Sequence, residues 1–99
     1  MKTFNFKCYA VLRNVPRGKV TTYGELAKAV GSPRSARAVG NAMNKNPYAP
    51  EVPCHKVVGS NGKMVGFASG IDKKIKMLKN EGVEVVNGRV DLSKFLHKF

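Results

Sequence analysis

The chain has 99 residues, with 18 Lys+Arg against 6 Asp+Glu and a formal net charge of +12. That length holds one domain, residues 1–99, with a single modest core. The basic balance makes a polyanion, above all nucleic acid, the leading partner class. No apolar run approaches the roughly 18 residues of a membrane span, and no signal-peptide pattern opens the chain. Two cysteines without a secretory signal argue for a reducing interior and against a disulfide framework, so a cytoplasmic, membrane-free monomer is expected. Residues 1–58 carry ten Lys+Arg and two acids, so most of the excess charge lies in the first part of the chain.

Phe4, Cys8, Val11 and Leu12 recur at i, i+4, i+7 and i+8, the apolar stripe of a first helix in which Cys8 acts as a small hydrophobe. Thr22-Tyr23-Gly24-Glu25 fits a capping box and predicts a second helix, with Leu26 and Val30 buried and an end near Gly31. Ser32-Pro33 is expected to cap and open a third helix that runs to about Asn44. On it Ala36, Val39 and Met43 form an apolar face, while Arg34, Arg37, Asn41 and Asn44 form a polar stripe. Ala38, Gly40 and Ala42 keep the helix slim, and the pair of helices reads as a helix-turn-helix. Val57-Val58 and Gly59-Ser60-Asn61-Gly62 suggest a strand end and a tight loop. Ile71, Ile75 and Leu78 mark another helix, closed by Gly82 just past Glu81. Asn87-Gly88 between Val83–Val86 and Arg89–Leu92 is a strong hairpin signal. Leu92, Phe95, Leu96 and Phe99 predict a short closing helix. The fold class is therefore mainly α with small β elements, a winged helix-turn-helix-like DNA-binding domain.

The chemistry concentrates in Pro53-Cys54-His55-Lys56-Val57-Val58. A thiol is a useful nucleophile as thiolate, a form favoured by a neighbouring base or positive charge, and His55 and Lys56 offer both. Prolines at 47, 50 and 53 exclude a helix interior and suit a loop that presents a side chain rigidly. Taken alone, the Cys-His pair also fits a buried structural cysteine beside an unrelated histidine. Cys8, Cys54, His55 and His97 lack zinc-ligand spacing, so no metal and no cofactor is expected, and His97 reads as a surface residue.

These residues resemble the O6-alkylguanine-DNA alkyltransferases, the methylated-DNA–protein-cysteine methyltransferases. Pro53 to Val58 is similar to the family's Pro-Cys-His-Arg-Val signature. Val15 to Ala27 resembles the lead-in to its helix-turn-helix. Ala36-Arg37-Ala38-Val39-Gly40, Met43 and Asn46-Pro47 resemble its recognition helix and hinge. Gly66-Phe67-Ala68 with Gly70 resembles its substrate loop, and Asn80-Glu81-Gly82 the end of the following helix.

The resemblance implies irreversible transfer of an alkyl group from O6-alkylguanine in double-stranded DNA, bound through the minor groove, to the protein's own cysteine. Such a base must leave the stack before a thiolate can reach it. Cys54 would be the nucleophile, His55 its general base through water, Glu81 the group that orients the histidine, and Asn46 a brace for the loop. Tyr23 would donate a hydrogen bond to the extruded guanine. Backbone groups of Cys54, Val57 and Ala68 would read its edge, with Phe67 as a ring wall. Arg37 would fill the emptied stack, with Arg34, Ala38, Asn41 and Asn44 also on the DNA side. Lys56 stands where the family has arginine, Phe67 where tyrosine is common, Ser69 at the pocket rim and Asn41 in place of a glycine. The resemblance covers the active-site domain alone, so a stand-alone domain without the family's N-terminal domain is expected. Non-reactive alkyltransferase-like relatives lack the cysteine, and Cys54 argues against that branch. The competing readings are a winged-helix DNA binder or alkyl-lesion sensor, in which Cys54 is incidental, and a thiol hydrolase, which has no use for the Arg/Asn helix.

Overall fold

A computed structural model describes residues 2–48, 51–64 and 70–99. The elements in chain order are α1 (Lys2–Leu12), β1 (Thr21–Thr22), α2 (Tyr23–Ala29), α3 (Ala36–Asn44), a 3-10 turn (Cys54–Lys56), β2 (Val57–Val58), α4 (Ile71–Asn80), β3 (Val85–Val86), β4 (Arg89–Val90) and α5 (Leu92–Phe95). The result is mainly helical with two small sheets, a winged-helix-like arrangement of a helix-turn-helix and a hairpin.

Two-residue strands organise the molecule. β1 and β2 pair in parallel, Thr21 with Val57 and Thr22 with Val58, and so bring together segments 36 positions apart. Successive strand residues point to opposite faces. Val57 accordingly enters a core with Cys8, Leu12, Leu26, Val39 and Ala42, while Val58 enters a second with Val20, Leu78, Val83 and Val90. The helix-turn-helix therefore packs on one side of the pair, and α4 with the β3–β4 hairpin on the other.

The caps explain where the helices begin and end. The Thr22 side chain accepts from Glu25 N–H at 3.0 Å, which starts α2 as the sequence pattern predicts. At its end Ser32 N–H bonds Ala27 O and Gly31 N–H bonds Lys28 O, with Gly31 at φ +82°, the arrangement of a Schellman cap. Helix α4 closes the same way: Val83 N–H reaches Leu78 O, Gly82 N–H reaches Lys79 O, and Gly82 has φ +86°. Asn87 (φ 53°) and Gly88 (φ 73°) make the left-handed pair of a two-residue hairpin turn between β3 and β4.

Four expectations need correction. Helix α3 begins at Ala36, because Ser32 to Ser35 form a turn closed by Ser35 N–H on Ser32 O. Arg34 consequently lies in that turn and not on the helical stripe. Ala36 is exposed, and the buried face is Val39, Ala42 and Met43, so Ala42 is a core residue and not a thin spot on the outer face. The closing helix stops at Phe95: Leu96 instead bridges Val20 in parallel, with His97 N–H on Val20 O, and Phe99 is half exposed. The backbone of this tail lies along Val20, just before β1, which both donates to Phe95 O and accepts from His97 N–H, bonds that another helical turn would forgo. On α4, Ile71 is exposed, and the fully buried positions include Lys74.

Candidate active site

Cys54 opens the 3-10 turn that feeds β2, and its half-buried side chain packs against the first core. The turn is set by Cys54 N–H on Val52 O and Lys56 N–H on Pro53 O. Asn46 holds the preceding loop from both sides of its amide: Nδ2 donates to Val52 O at 2.8 Å, and Oδ1 accepts from Tyr48 N–H at 2.9 Å. Carbonyl and amine of one short side chain thus tie residues 46 to 52 into a fixed approach to Pro53-Cys54.

His55 is buried, and its Nε2 lies 2.7 Å from Glu81 Oε2. With the Nε2 proton donated to that carboxylate, Nδ1 carries the lone pair. Burial pushes the imidazole below its ordinary 6.5, against the hydrogen bond and charge of Glu81, while Lys56 and Lys74 push it further down. The ring is therefore neutral at neutral pH, the form a base requires.

Glu81 is the C-cap residue of α4, where an acid opposes the helix dipole. Its environment compensates. Oε1 accepts from Gly18 N–H at 3.1 Å and pairs with Lys56 Nζ at 3.1 Å, while Oε2 pairs with His55. Burial works against ionisation here. The bonds from His55, Gly18 and Lys56, with the Lys56 charge, outweigh it and hold the carboxyl below the usual range.

The Lys56 ammonium also donates to Val15 O at 3.2 Å and Pro16 O at 3.0 Å. Its charge is directed at Glu81 and the loop before β1, which corrects the expectation that Lys56 acts on the thiol beside it. One compact amine satisfies three acceptors here, and the fork of an arginine is not required.

Tyr23 occupies the first position of α2, half-buried against the first core. Burial, followed by the nearby Cys54 charge, raises its phenol above 10, so it remains a donor at working pH. Arg37, Asn41 and Asn44 lie exposed on α3 with Ala38 half-buried, and Arg34 is exposed in the preceding turn. Gly66, Phe67, Ala68 and Ser69 lie outside the described residues. His97 is half-buried and packs edge-to-face on Phe99, 4.9 Å between ring centroids, which corrects its reading as a lone surface residue.

The sequence reading missed Lys74. It is fully buried, its Nζ donates to Val57 O at 2.5 Å, and burial pushes it down to about 8, against the opposing pull of the Cys54 charge. A lysine at 74 between Ile71, Ile75 and Leu78 sits on the apolar stripe of α4, and that misplaced charge was the available signal. Among the described residues no group of three His, Cys, Asp or Glu could hold a metal ion, and no helix is long and apolar enough to cross a membrane.

Residues 3–83 match the family described as 6-O-methylguanine DNA methyltransferase, DNA binding domain, and the chain belongs to that family. Among curated relatives, the methylated-DNA–protein-cysteine methyltransferase of Methanosarcina acetivorans is 51% identical over 79 residues, 80% of this chain and 51% of the relative. The chain thus spans about half the length of this relative. Among solved structures, S. pombe Atl1 in complex with damaged DNA containing O6-carboxymethylguanine superposes with a TM-score of 0.91 at 34% identity, covering 100% of this chain and 98% of Atl1. Mycobacterium tuberculosis OGT in complex with DNA gives 0.78 at 42% identity, covering 80% of this chain and 48% of OGT.

Proposed function

We propose that this protein binds double-stranded DNA containing O6-alkylguanine and transfers the alkyl group to Cys54, once per molecule. The observation that carries the reading is a neutral, buried His55 oriented by an ionised Glu81, next in sequence to a half-buried cysteine on a proline-held turn. His55 Nδ1 takes the thiol proton, through water. The sulfur attacks the alkyl carbon in line, the C–S bond forms, and the C–O6 electron pair returns to the guanine. The departing guanine anion regains a proton held by the imidazolium, and Tyr23 donates a hydrogen bond that eases the transient charge. A thioether has no ready leaving chemistry, so the protein is consumed.

Binding is supplied by exposed Arg34, Arg37, Asn41 and Asn44, within a chain of net charge +12. A slim helix suits the minor groove, whose degenerate pattern carries little sequence information. Intact-mass measurement after incubation with alkylated duplex is the test. One added alkyl group on Cys54 is the expected result, with Cys54→Ser binding DNA but gaining no mass. Repeated turnover of excess alkylated DNA, or the group on Cys8, overturns the reading.

A second reading, lesion sensing without transfer, is favoured by the near-complete mutual coverage with Atl1. It predicts binding to the alkylated duplex with no gain of mass.

A further inference from the structure

Val57 and Val58 enter separate cores on opposite sides of the β1–β2 pair, with α3 outside the first and α4 outside the second. Each helix turns its buried side to its own core, Val39 and Ala42 on α3, Leu78 and Ile75 on α4. Their solvent faces therefore look away from each other. On α4 that face holds Lys73, Lys76, Lys79 and Asn80, all exposed and within about a third of a turn at 3.6 residues per turn. Arg17 extends it at the C-terminal end of the helix, where its Nη2 donates to Asn80 O at 2.6 Å. Among the described residues none of these four cations is ion-paired, because Glu25, Glu51 and Glu81 are engaged by Lys28, Arg13 and the Lys56–His55 couple. Asp72 is the single acid within α4 and leaves the face cationic.

We propose that this face of α4 binds the phosphate backbone of a second DNA duplex, so that one molecule joins two duplex segments. The proposal rests on α3 holding the first. From Lys73 to Lys79 the helix rises about 9 Å, the span of roughly two to three phosphates of one strand. The first duplex cannot bend round to supply them, since DNA is stiff over about 150 bp and the molecule measures only 35 × 25 × 20 Å. An anionic membrane is the poorer occupant: Leu78 and Ile75 commit the apolar side of α4 to the core, so the basic face has no apolar side chains to enter a bilayer. Lysines act on phosphates as point charges, and backbone contacts carry no sequence information, so the second segment is undamaged DNA of any sequence. A molecule held at both faces can pass between segments without release, which suits the search for a rare lesion.

The experiment mixes two short undamaged duplexes, one carrying a donor dye and the other an acceptor, and follows energy transfer as protein is added. Anisotropy of a single duplex, sedimentation of the protein alone and thermal melting are measured beside it. The unaltered protein should bring the dyes together at low salt and release them as salt rises. Combining Lys73→Glu, Lys76→Glu and Lys79→Glu should lower energy transfer about tenfold or more, while affinity for a single duplex changes less than about threefold. No energy transfer by the unaltered protein, or undiminished transfer by the folded triple variant, overturns the proposal. So does transfer that tracks self-association of the chain, since two copies would then join the duplexes. If Arg34→Glu with Arg37→Glu leaves single-duplex binding intact, the α3 reading fails, and energy transfer in the triple variant still decides the α4 face. Phosphatidylserine vesicles that bind the unaltered chain more tightly than duplex, but not the triple variant, would assign the face to a membrane and overturn the proposal. Should the triple variant not fold, reductive methylation of the native chain decides it. Lys73, Lys76 and Lys79 are expected to be shielded once duplex exceeds one per molecule, and unchanged reactivity overturns the proposal.

Discussion

The two cysteines of this chain meet different physical conditions. Burial raises the Cys8 thiol, outweighing its backbone hydrogen bond, and keeps it protonated within the core. Cys8→Ser should therefore leave transfer unchanged in any preparation that folds, as intact mass would register. Around Cys54 the pH dependence is set by His55 and Glu81. The folded imidazole titrates below 6.5, so transfer should hold steady as pH falls to 6.5 and decline only below it. Between the folded value and 6.5 the unfolded chain binds the extra proton, so stability also falls with pH in that window. Glu81 adds to this: its contribution is present above the ordinary carboxylate value near 4.5 and is lost as pH falls through its lower folded value. Glu81→Gln breaks a buried pair and should lower stability at pH 7 by about 3 kcal/mol, while slowing transfer from free O6-benzylguanine as well as from duplex. Unfolding by urea at pH 7 and single-turnover rates check both statements, and a variant with native stability and rate would refute them.

At the scale of elements, the wing depends on one close approach. Gly62 has φ +81°, and its carbonyl accepts from Val90 N–H at 2.8 Å. A Cβ there would lie 2.0 Å from Val90 O, with further contacts to Val90 backbone at 3.1 and 3.4 Å. Side-chain rotation cannot relieve a clash with backbone, so the strand must move. Gly62→Ala should destabilise by several kcal/mol, on the order of an over-packed core plus an unfavourable positive φ. Gly31→Ala offers the contrast. Its φ is +82°, but a Cβ would meet nothing within 4 Å, so only the roughly 1 kcal/mol of left-handed backbone strain is expected. Chemical denaturation of the two variants tests this, and equal losses would mean that steric contact at Gly62 is absorbed by the wing.

For the whole molecule, the net charge of +12 predicts binding dominated by phosphates. With about four phosphate contacts, affinity should fall roughly a hundredfold between 50 and 200 mM salt. Equal affinity at both concentrations, or a strong consensus site, would contradict phosphate-led binding. Base extrusion can be separated from chemistry on the same protein. If Arg37 occupies the emptied stack, Arg37→Ala should slow repair of duplex far more than transfer from free O6-benzylguanine, because unstacking costs a few kcal/mol. Lysine at 37 should rescue only in part, since a point charge cannot fill the gap as a planar guanidinium does. Equal losses on both substrates would remove Arg37 from that role.

The elements whose signals are local were legible from residue order alone. Thr22 and Glu25 are three apart, Gly31 and Gly82 follow their helices, and Asn87-Gly88 lies between two short strands, so each feature needs only its near neighbours. The Cys54-His55 pair, the excess of cations and the polar α3 face were visible for the same reason. What local order could not decide was which of several cations would be buried, because that depends on segments brought together by the parallel β1–β2 pair. Lys56 lies beside the cysteine in sequence yet turns to Val15, Pro16 and Glu81, whereas Lys74, 20 residues from Cys54, is fully buried and donates to the Val57 carbonyl just after the Cys54–Lys56 turn. Likewise Ser32-Pro33 carries a sound helix-start signal, but the Schellman cap after α2 extends the turn and delays α3 to Ala36. The tail pairs with Val20 and forgoes another helical turn because the Val20 backbone, just before β1, offers hydrogen bonds that no pattern within residues 92–99 reveals. Short-range geometry thus follows from the chain alone, while the electrostatics of the candidate site arise from contacts across more than a dozen residues, which exist only once the fold has formed.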